Sequence, residues 1–260
     1  MPDPDPSLAR FFDQLAPTYD LLYPDWPTAV AQQGRALDGH LRAALGGRAH
    51  RVLDCACGIG TQAIGLAAAG HAVTGTDLSP VAAARATAEA AARGLRLPTA
   101  AADMRNLPFR DALFDAVVCA DNSLALLTTP ESVRAALGSM RRVLRPGGQL
   151  LLGMRAYEEA RREHPEVLPA RVTRTPDGGR AVTLQLWEWH DDGEHYAFDL
   201  IQLLPRGTTW EVHSRRATSW ALTRGQVTAF VTTAGFEHLA WHDPEEGGYF
   251  QPLLTARCRP

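Results

Sequence analysis

The sequence predicts an α/β protein: a doubly wound, mostly parallel sheet with an antiparallel β meander inserted in it. Two observations carry the prediction. From Arg51 onward, short β-rich apolar runs alternate with helical segments, which is the pattern of a parallel sheet covered on both faces. After Met154 the alternation stops. Runs such as Ala181 to Trp189, Tyr196 to Leu204 and Thr208 to Trp220 are then rich in Val, Leu, Trp, Tyr and Thr, and Asp177-Gly178-Gly179, Asp191-Asp192-Gly193 and Pro205-Arg206-Gly207 punctuate them as turns.

The first six residues, Met-Pro-Asp-Pro-Asp-Pro, lack both a positive region and an apolar run, so a disordered tail is expected there and a signal peptide is not. An aromatic stretch from Phe11 to Trp26 follows. Pro24 and Pro27 interrupt it, which makes Thr28 the expected start of a helix to Leu45 whose Val30, Leu37, Leu41 and Leu45 share one face. Val52 and Leu53 form a first strand. Helix near Thr61 to Ala69, strand to Asp77 and helix near Pro80 to Arg93 come next. A third strand is expected over Leu97 to Ala101, a fourth over Phe114 to Cys119, a helix over Pro130 to Val143, and a fifth strand entered through Leu144-Arg-Pro-Gly-Gly148. Beyond the meander lie a helix near Thr223 to Thr233 and strands near His238 to Trp241 and Pro252 to Arg257. The chain thus divides into an N-terminal arm and lid helix (1–45), a core (46–155 with 222–260) and an inserted β subdomain (156–221) expected to serve substrate binding or homo-oligomer formation.

With 260 residues, 45% hydrophobic and 21% charged, the chain has the makings of one ordinary globular core with an insertion. A net charge of −3 gives no polybasic footprint, and no apolar run spans a bilayer. Nucleic acid and membrane are therefore not expected partners, and a small-molecule acceptor is. Cys55, Cys57, Cys119 and Cys258 show no disulfide spacing, which points to a reducing, cytoplasmic compartment. No metal is expected, because the Cys-x-Cys pair has no second ligand pair. The cluster His190, Asp191, Asp192, Glu194 and His195 straddles a turn and reads as a solvated hairpin tip.

Chemistry concentrates in Arg51-Val-Leu-Asp-Cys-Ala-Cys-Gly-Ile-Gly60 and in Asp77. Gly58 and Gly60 permit positive φ or close approach of a ligand between strand and helix, and Asp77 stands where an acid can grasp ribose hydroxyls. The pattern Gly58-x-Gly60-x-x-Ala63 also passes loosely for a dinucleotide fingerprint. Asp54 separates the two: a carboxylate just before the glycines repels a pyrophosphate and suits a ligand with ammonium and sulfonium charges, such as S-adenosylmethionine.

At these residues the chain resembles the class I S-adenosylmethionine-dependent methyltransferases, over roughly residues 50 to 155 and the C-terminal end. The resemblance implies a Rossmann-like sheet whose last strand is antiparallel, with S-adenosyl-L-methionine as cofactor. It implies that the backbone at Ala56, Gly58 and Gly60 receives the methionine portion, with Asp54 near its ammonium. Asp77, followed by Leu78, takes the ribose, Asp103 accepts from the adenine amine, and Met104 offers a backbone N–H and its thioether face. Tyr19, Tyr23 and Trp26 resemble the aromatic segment that covers the cofactor in related enzymes.

On the acceptor side, Phe114-Asp-Ala-Val-Val-Cys-Ala-Asp-Asn-Ser-Leu124 and Met154-Arg-Ala-Tyr-Glu158 resemble the glycine and glycine/sarcosine N-methyltransferases. This implies that Asn122 orients an amine, Arg155 holds a carboxylate and Tyr157 lines the pocket. The chain departs from that group at Asp121, which replaces a Gly, at Ala156, which replaces an Asn, and in lacking the His after Asn-Ser. Asp121 favours a more cationic acceptor than glycine. The expected activity is methyl transfer to the amine of a small, carboxylate-bearing molecule; O- or C-methylation, or cofactor binding without catalysis, remain open. Arg155 could instead pair with Glu158 or Glu159, and Asn122 could be a turn former. Glu245 to Phe250 could face the pocket or form a plain hairpin.

Overall fold

The computed structural model describes residues 6–175 and 178–259. The expected tail up to residue 5 and Asp177 of the first turn signal lie outside the described residues. The chain opens with a helix, α1 (Pro6–Leu15), which buries Phe11 and Leu15, and continues through a 3-10 turn (Ala16–Leu22). The next helix, α2 (Trp26–Leu45), starts two residues before the sequence-based expectation. Asp25 caps it by accepting from Thr28 N at 3.1 Å, and Pro27 sits in the first turn, where a missing N–H costs nothing.

The core then runs β1 (Arg51–Asp54), α3 (Thr61–Ala68), β2 (Ala72–Asp77), α4 (Pro80–Ala91), β3 (Thr99–Ala101), β4 (Phe114–Cys119), α5 (Pro130–Val143) and β5 (Leu144–Gly153). A short helix α6 (Ala160–Glu163) leads to β6 (Val167–Arg174), β7 (Arg180–Trp189), β8 (His195–Arg206) and β9 (Thr209–Trp220). The chain finishes with α7 (Arg224–Thr233), β10 (Phe236–His242), a turn of helix α8 (Pro244–Gly247) and β11 (Leu253–Cys258). The seven core strands lie in the order β10-β11-β5-β4-β1-β2-β3, and β6 to β9 form a separate four-stranded sheet. Strands β1 to β5 are parallel, whereas β11 runs antiparallel to both β5 and β10. This is the Rossmann-like α/β sheet with an antiparallel last strand that the sequence implies.

Alternate residues of the central strands feed two apolar layers. Leu53, Val117, Leu150 and Leu152 face α5 and α7, and Val52, Ala116, Val118 and Leu151 face α2 and α3. Burial on both faces explains why these strands read as continuous apolar runs. Leu144-Arg-Pro-Gly-Gly148 is an excursion within β5: Phe114 pairs with Leu144 and Ala116 already with Gln149, and Gly147 takes φ +72°. Strand β6 carries none of the usual signals, since Pro169 and three Arg or Thr residues interrupt its apolar content.

The order 3-2-1-4-5 of the parallel strands places successive crossovers on opposite sides of β1 and β4. A crevice therefore opens outside the carboxyl ends of that pair, where ligands bind in open α/β sheets. Asp54 ends β1, and Asp121 and Asn122 follow β4 by two and three residues.

Candidate functional site

A cavity of about 1150 Å³ occupies this crevice, walled by the core, the four-stranded sheet and the N-terminal segment. An ordinary small-molecule site takes about 300–1000 Å³, so there is room for a cofactor and a second molecule. Ala56, Gly58, Asp77, Leu78, Asp103, Met104, Tyr23, Asp121, Asn122 and Arg155 all line it. Asp54 and Gly60 do not line it: both are buried, Asp54 at the end of β1 and Gly60 with φ +95° as it opens α3. Trp26 and Tyr157 are placed differently. Trp26 packs into the apolar layer under α2 and donates to Thr61 Oγ1 at 2.8 Å, away from the cavity. Tyr157 stands one layer behind Asn122.

The turn after β1 presents main chain at Ala56 and Gly58 to the cavity. Gly58 has φ +51°, and a Cβ there would lie 3.8 Å from the ring of Tyr19. Asp77 secures this loop, because its Oδ2 accepts from Gly58 N at 2.7 Å while Oδ1 accepts from Ser79 N at 2.9 Å. Burial pushes the Asp77 carboxyl up. Asp54 is more extreme. It is fully buried, one oxygen accepts from Ala56 N at 3.4 Å, and Oδ2 has no partner. Burial pushes it up to about 7. The backbone amides of Ala56 and Ala63 pull it back down only in part.

Asp121 brings a third carboxylate to the same cavity, and burial pushes it up too, although Tyr23, Arg155 and Arg171 each pull it down. A cavity walled by Asp77 and Asp121, with Asp54 buried at the adjoining end of β1, is suited to cationic ligands and hostile to a pyrophosphate. The donor set and the orphaned Asp54 oxygen therefore fit S-adenosylmethionine. Asp103 is engaged within its own turn: it accepts from Arg105 N at 2.8 Å and pairs with the Arg105 guanidinium at 2.6 Å.

The cavity wall that follows β4 is built on backbone that few residues tolerate. Asp121 and Asn122 take φ +51° and +68° in succession, a left-handed stretch that costs free energy outside glycine and accumulates at functional sites. It aims their side chains apart. Asp121 accepts from Tyr23 OH at 2.7 Å. Asn122 accepts from Arg155 N at 3.1 Å and donates to Tyr157 OH at 2.6 Å, and Tyr157 in turn meets Tyr196 OH at 2.8 Å. Tyr196 stacks on Trp187 with centroids 3.9 Å apart. The Arg155 guanidinium lies 5.0 Å above Trp187 and makes no ion pair among the described residues; Glu158 is instead committed to Arg224 N at 2.7 Å.

Tyr196, Tyr249 and Gln251 also line the cavity. The Glu245 to Phe250 segment is a helical turn, not a plain hairpin, and delivers Tyr249 against Gly153, where a Cβ would lie 2.8 Å from the ring. Tyr196 carried no signal in the sequence beyond its place in a strand. In the His190 to His195 cluster, His190, Asp191 and Asp192 are exposed, as expected of a hairpin tip, whereas Glu194 and His195 are half-buried. Asp192 accepts from the backbone of Glu194 and His195 and from His195 Nδ1, which hold it well below the usual carboxylate range. His195 Nε2 reaches Thr128 O at 3.0 Å and Glu194 pairs with Arg161 at 2.5 Å, so the hairpin docks on the core.

The fold is that of a Rossmann-like α/β domain, and its cavity has room for a cofactor and a second molecule. Residues 52–148 match the family model described as a methyltransferase domain. The chain is 37% identical over 145 residues to a demethylmenaquinone methyltransferase of Thermus thermophilus, covering 54% of this chain and 62% of that one. It is 38% identical over 124 residues to an uncharacterized protein of Mycobacterium tuberculosis, covering 47% and 44%. The chain thus spans less than two thirds of either relative. Among solved structures, it is similar to a SAM-bound amino pentose methyltransferase from Micromonospora echinaspora (24% identity, 93% of this chain and 95% of that one, TM-score 0.74). It is also similar to a sugar N-methyltransferase from a Streptoalloteichus species (23%, 94% and 93%, TM-score 0.73). At these identities the likeness is one of fold.

Proposed function

We propose that the protein is an S-adenosylmethionine-dependent methyltransferase acting on the amine nitrogen of a small molecule that also carries an anionic group, as a carboxylate-bearing amine does. The observation that carries this reading is Asp121: a carboxylate held on a strained turn at the cavity wall, raised by burial and facing toward the charge of Arg155. Solved structures of this fold that are described as amino pentose and sugar N-methyltransferases support nitrogen as the methylated atom and admit an amino sugar as the amine.

The residues divide the work. When bound, the cofactor supplies an electrophilic methyl group on a sulfonium. Asp54 accepts from an ammonium at its free Oδ2, Asp77 accepts ribose hydroxyls on the lone pairs left by Gly58 and Ser79, and Leu78 and Met104 flank the adenine. Tyr19 and Tyr23 close the cavity from the N-terminal side and exclude water. Asp121 attracts the acceptor as an ammonium and can keep its proton, since burial favours the neutral acid and neutral amine over the separated charges. Arg155 offers a guanidinium fork to the anionic end while its flat face rests on Trp187. Tyr157 fixes the Asn122 amide so that the turn cannot relax.

The test is transfer of a labelled methyl group to a panel of amino acids, amino sugars, hydroxy acids and phenols by wild type and Asp121→Asn. An amine should be labelled, and the substitution should raise its KM at least about tenfold, in line with about 1.5–3 kcal/mol for a charged hydrogen bond. Labelling of phenols or hydroxy acids alone, insensitive to the substitution, overturns nitrogen as the target.

A further inference from the structure

Two separate apolar clusters border the cavity where the four-stranded sheet roofs it. One holds Tyr157, Trp187 and Tyr196, and it meets Asn122 through Tyr157 and Arg155 through Trp187. The other joins Phe11 and Leu15 of α1 to Leu200 of β8. Phe198 packs against both clusters, yet it is only half-buried and lines the cavity. Leu168 at the margin of the first cluster, and Phe12 and Leu22 at the margin of the second, are half-buried and line the cavity in the same way. Four apolar side chains from the sheet and the N-terminal segment thus keep accessible surface on one cavity.

Register ties this apolar stretch to the charged end of the site. Phe198 stands directly opposite Trp187, whose ring carries the Arg155 guanidinium at 5.0 Å. Paired strands lie about 4.8 Å apart, so the apolar stretch starts one strand away from the anion-holding group. The row Leu168–Gln185–Leu200 follows two residues further along the same face, about 7 Å on. Its polar member, Gln185, gives its oxygen to Trp187 Nε1 at 3.0 Å. Charge and apolar surface are therefore close enough to be met by one short molecule.

We propose that the acceptor is an amphiphile: a carboxylate-bearing amine whose remaining substituent is a bulky apolar group, seated against Phe198 and Leu168. This rests on the amine reading above and narrows it. A hydroxylated ring fits less well, because Phe12, Leu22, Leu168 and Phe198 would strip water from its hydroxyls and return no hydrogen bond.

Calorimetry on the full chain saturated with S-adenosylhomocysteine, the demethylated cofactor, can compare alanine, leucine and phenylalanine, which share amine and carboxylate. Phenylalanine should bind at least about tenfold more tightly than alanine, with leucine between them, because apolar area leaves water. Leu168→Gln should remove most of that gain and leave the affinities for alanine and S-adenosylhomocysteine unchanged. Leu22→Gln, on the N-terminal wall, should act alike and decides the matter if Leu168→Gln fails to fold. Equal affinity for alanine and phenylalanine overturns the inference, and so does tighter binding of glucosamine 6-phosphate, which offers amine and anion on a hydroxylated ring. The compound 3-phenylpropionate, which lacks the amine, separates this inference from the reading beneath it. If it binds as well as phenylalanine and still responds to Leu168→Gln, the apolar subsite stands and the amine reading falls.

Discussion

Asp54 and Asp77 show how the same side chain takes two jobs from its surroundings. Asp77 has backbone donors on both oxygens and so arrives at the ligand already oriented. Asp77→Ala removes both the ribose acceptor and the brace on Gly58, and calorimetry should show cofactor affinity falling at least about tenfold. Asp54 lacks a donor on Oδ2 and is pushed up to about 7. Its folded pKa lies above its unfolded value near 4, so the folded state binds the extra proton between those limits and stability without cofactor falls as pH rises from about 4 to about 7. A cationic ligand reverses the preference. Cofactor binding should therefore release a proton near pH 6, and affinity should rise with pH up to about 7. Calorimetry in buffers of different ionisation enthalpy measures the proton, and Asp54→Asn should abolish its release. Asp54, Gly58 and Asp77 were legible because a strand, a glycine turn, a helix and a second strand fix their relative places within a few tens of residues. The partners of Asp121 were not: Tyr23 meets it across 98 positions of sequence, and nothing local announces such a contact.

At the scale of elements, helix α2 rides on α3 with almost no side chain between them. A Cβ on Gly34 would lie 2.5 Å from Gly65 Cα, and one on Gly65 would lie 2.5 Å from Val30 O. This close crossing presses α3, and with it the glycine turn that opens the helix, down on the sheet. Gly34→Ala should destabilise the fold by about 1–3 kcal/mol, the cost of overpacking, despite alanine's better helix propensity. Thermal unfolding reads the sign: an increase in Tm would mean that the helices part freely. The sequence marked α2 by periodicity and α3 by its place in the alternation of strands and helices, yet the meaning of their two glycines lies in a contact between helices. The same limit applies to β6. Its strand character comes from pairing with β7, because its own residues are mostly exposed and interrupted by Pro169. The start of α2 was misjudged for a local reason, since Asp25 is a good cap and a proline inside the first turn extends a helix as readily as it stops one.

Across the whole molecule, the N-terminal segment straps the two sheets together over the cavity. Toward the core, Asp13 takes the Ser79 hydroxyl at 2.5 Å and Asp20 pairs with Arg85 at 2.8 Å. Toward the small sheet, Thr18 meets Gln202 at 2.7 Å and Thr173 donates to Leu21 O at 3.1 Å. Arg215 is the unusual fastening. It is buried, its partners are the neutral Gln202 Oε1 and Gln14 O, each at 2.9 Å, and burial lowers its pKa. A buried charge answered only by dipoles stabilises the strap just so long as the strap stays in place, because lifting Gln14 away leaves that guanidinium short of an acceptor. Contacts of this kind are made only with the strap in place. Arg215→Met keeps length and apolar volume while removing both donors. Amide exchange in residues 14–23 should then quicken and cofactor affinity should fall about tenfold, as the loss of charged hydrogen bonds worth about 1.5–3 kcal/mol requires. Amides of β7 and β8 should keep their protection. Were the methionine simply to pack and leave exchange unchanged, the desolvation cost of the arginine would have matched its hydrogen bonds, and the strap would owe its closure to Phe11 and Leu15 against Leu200 instead.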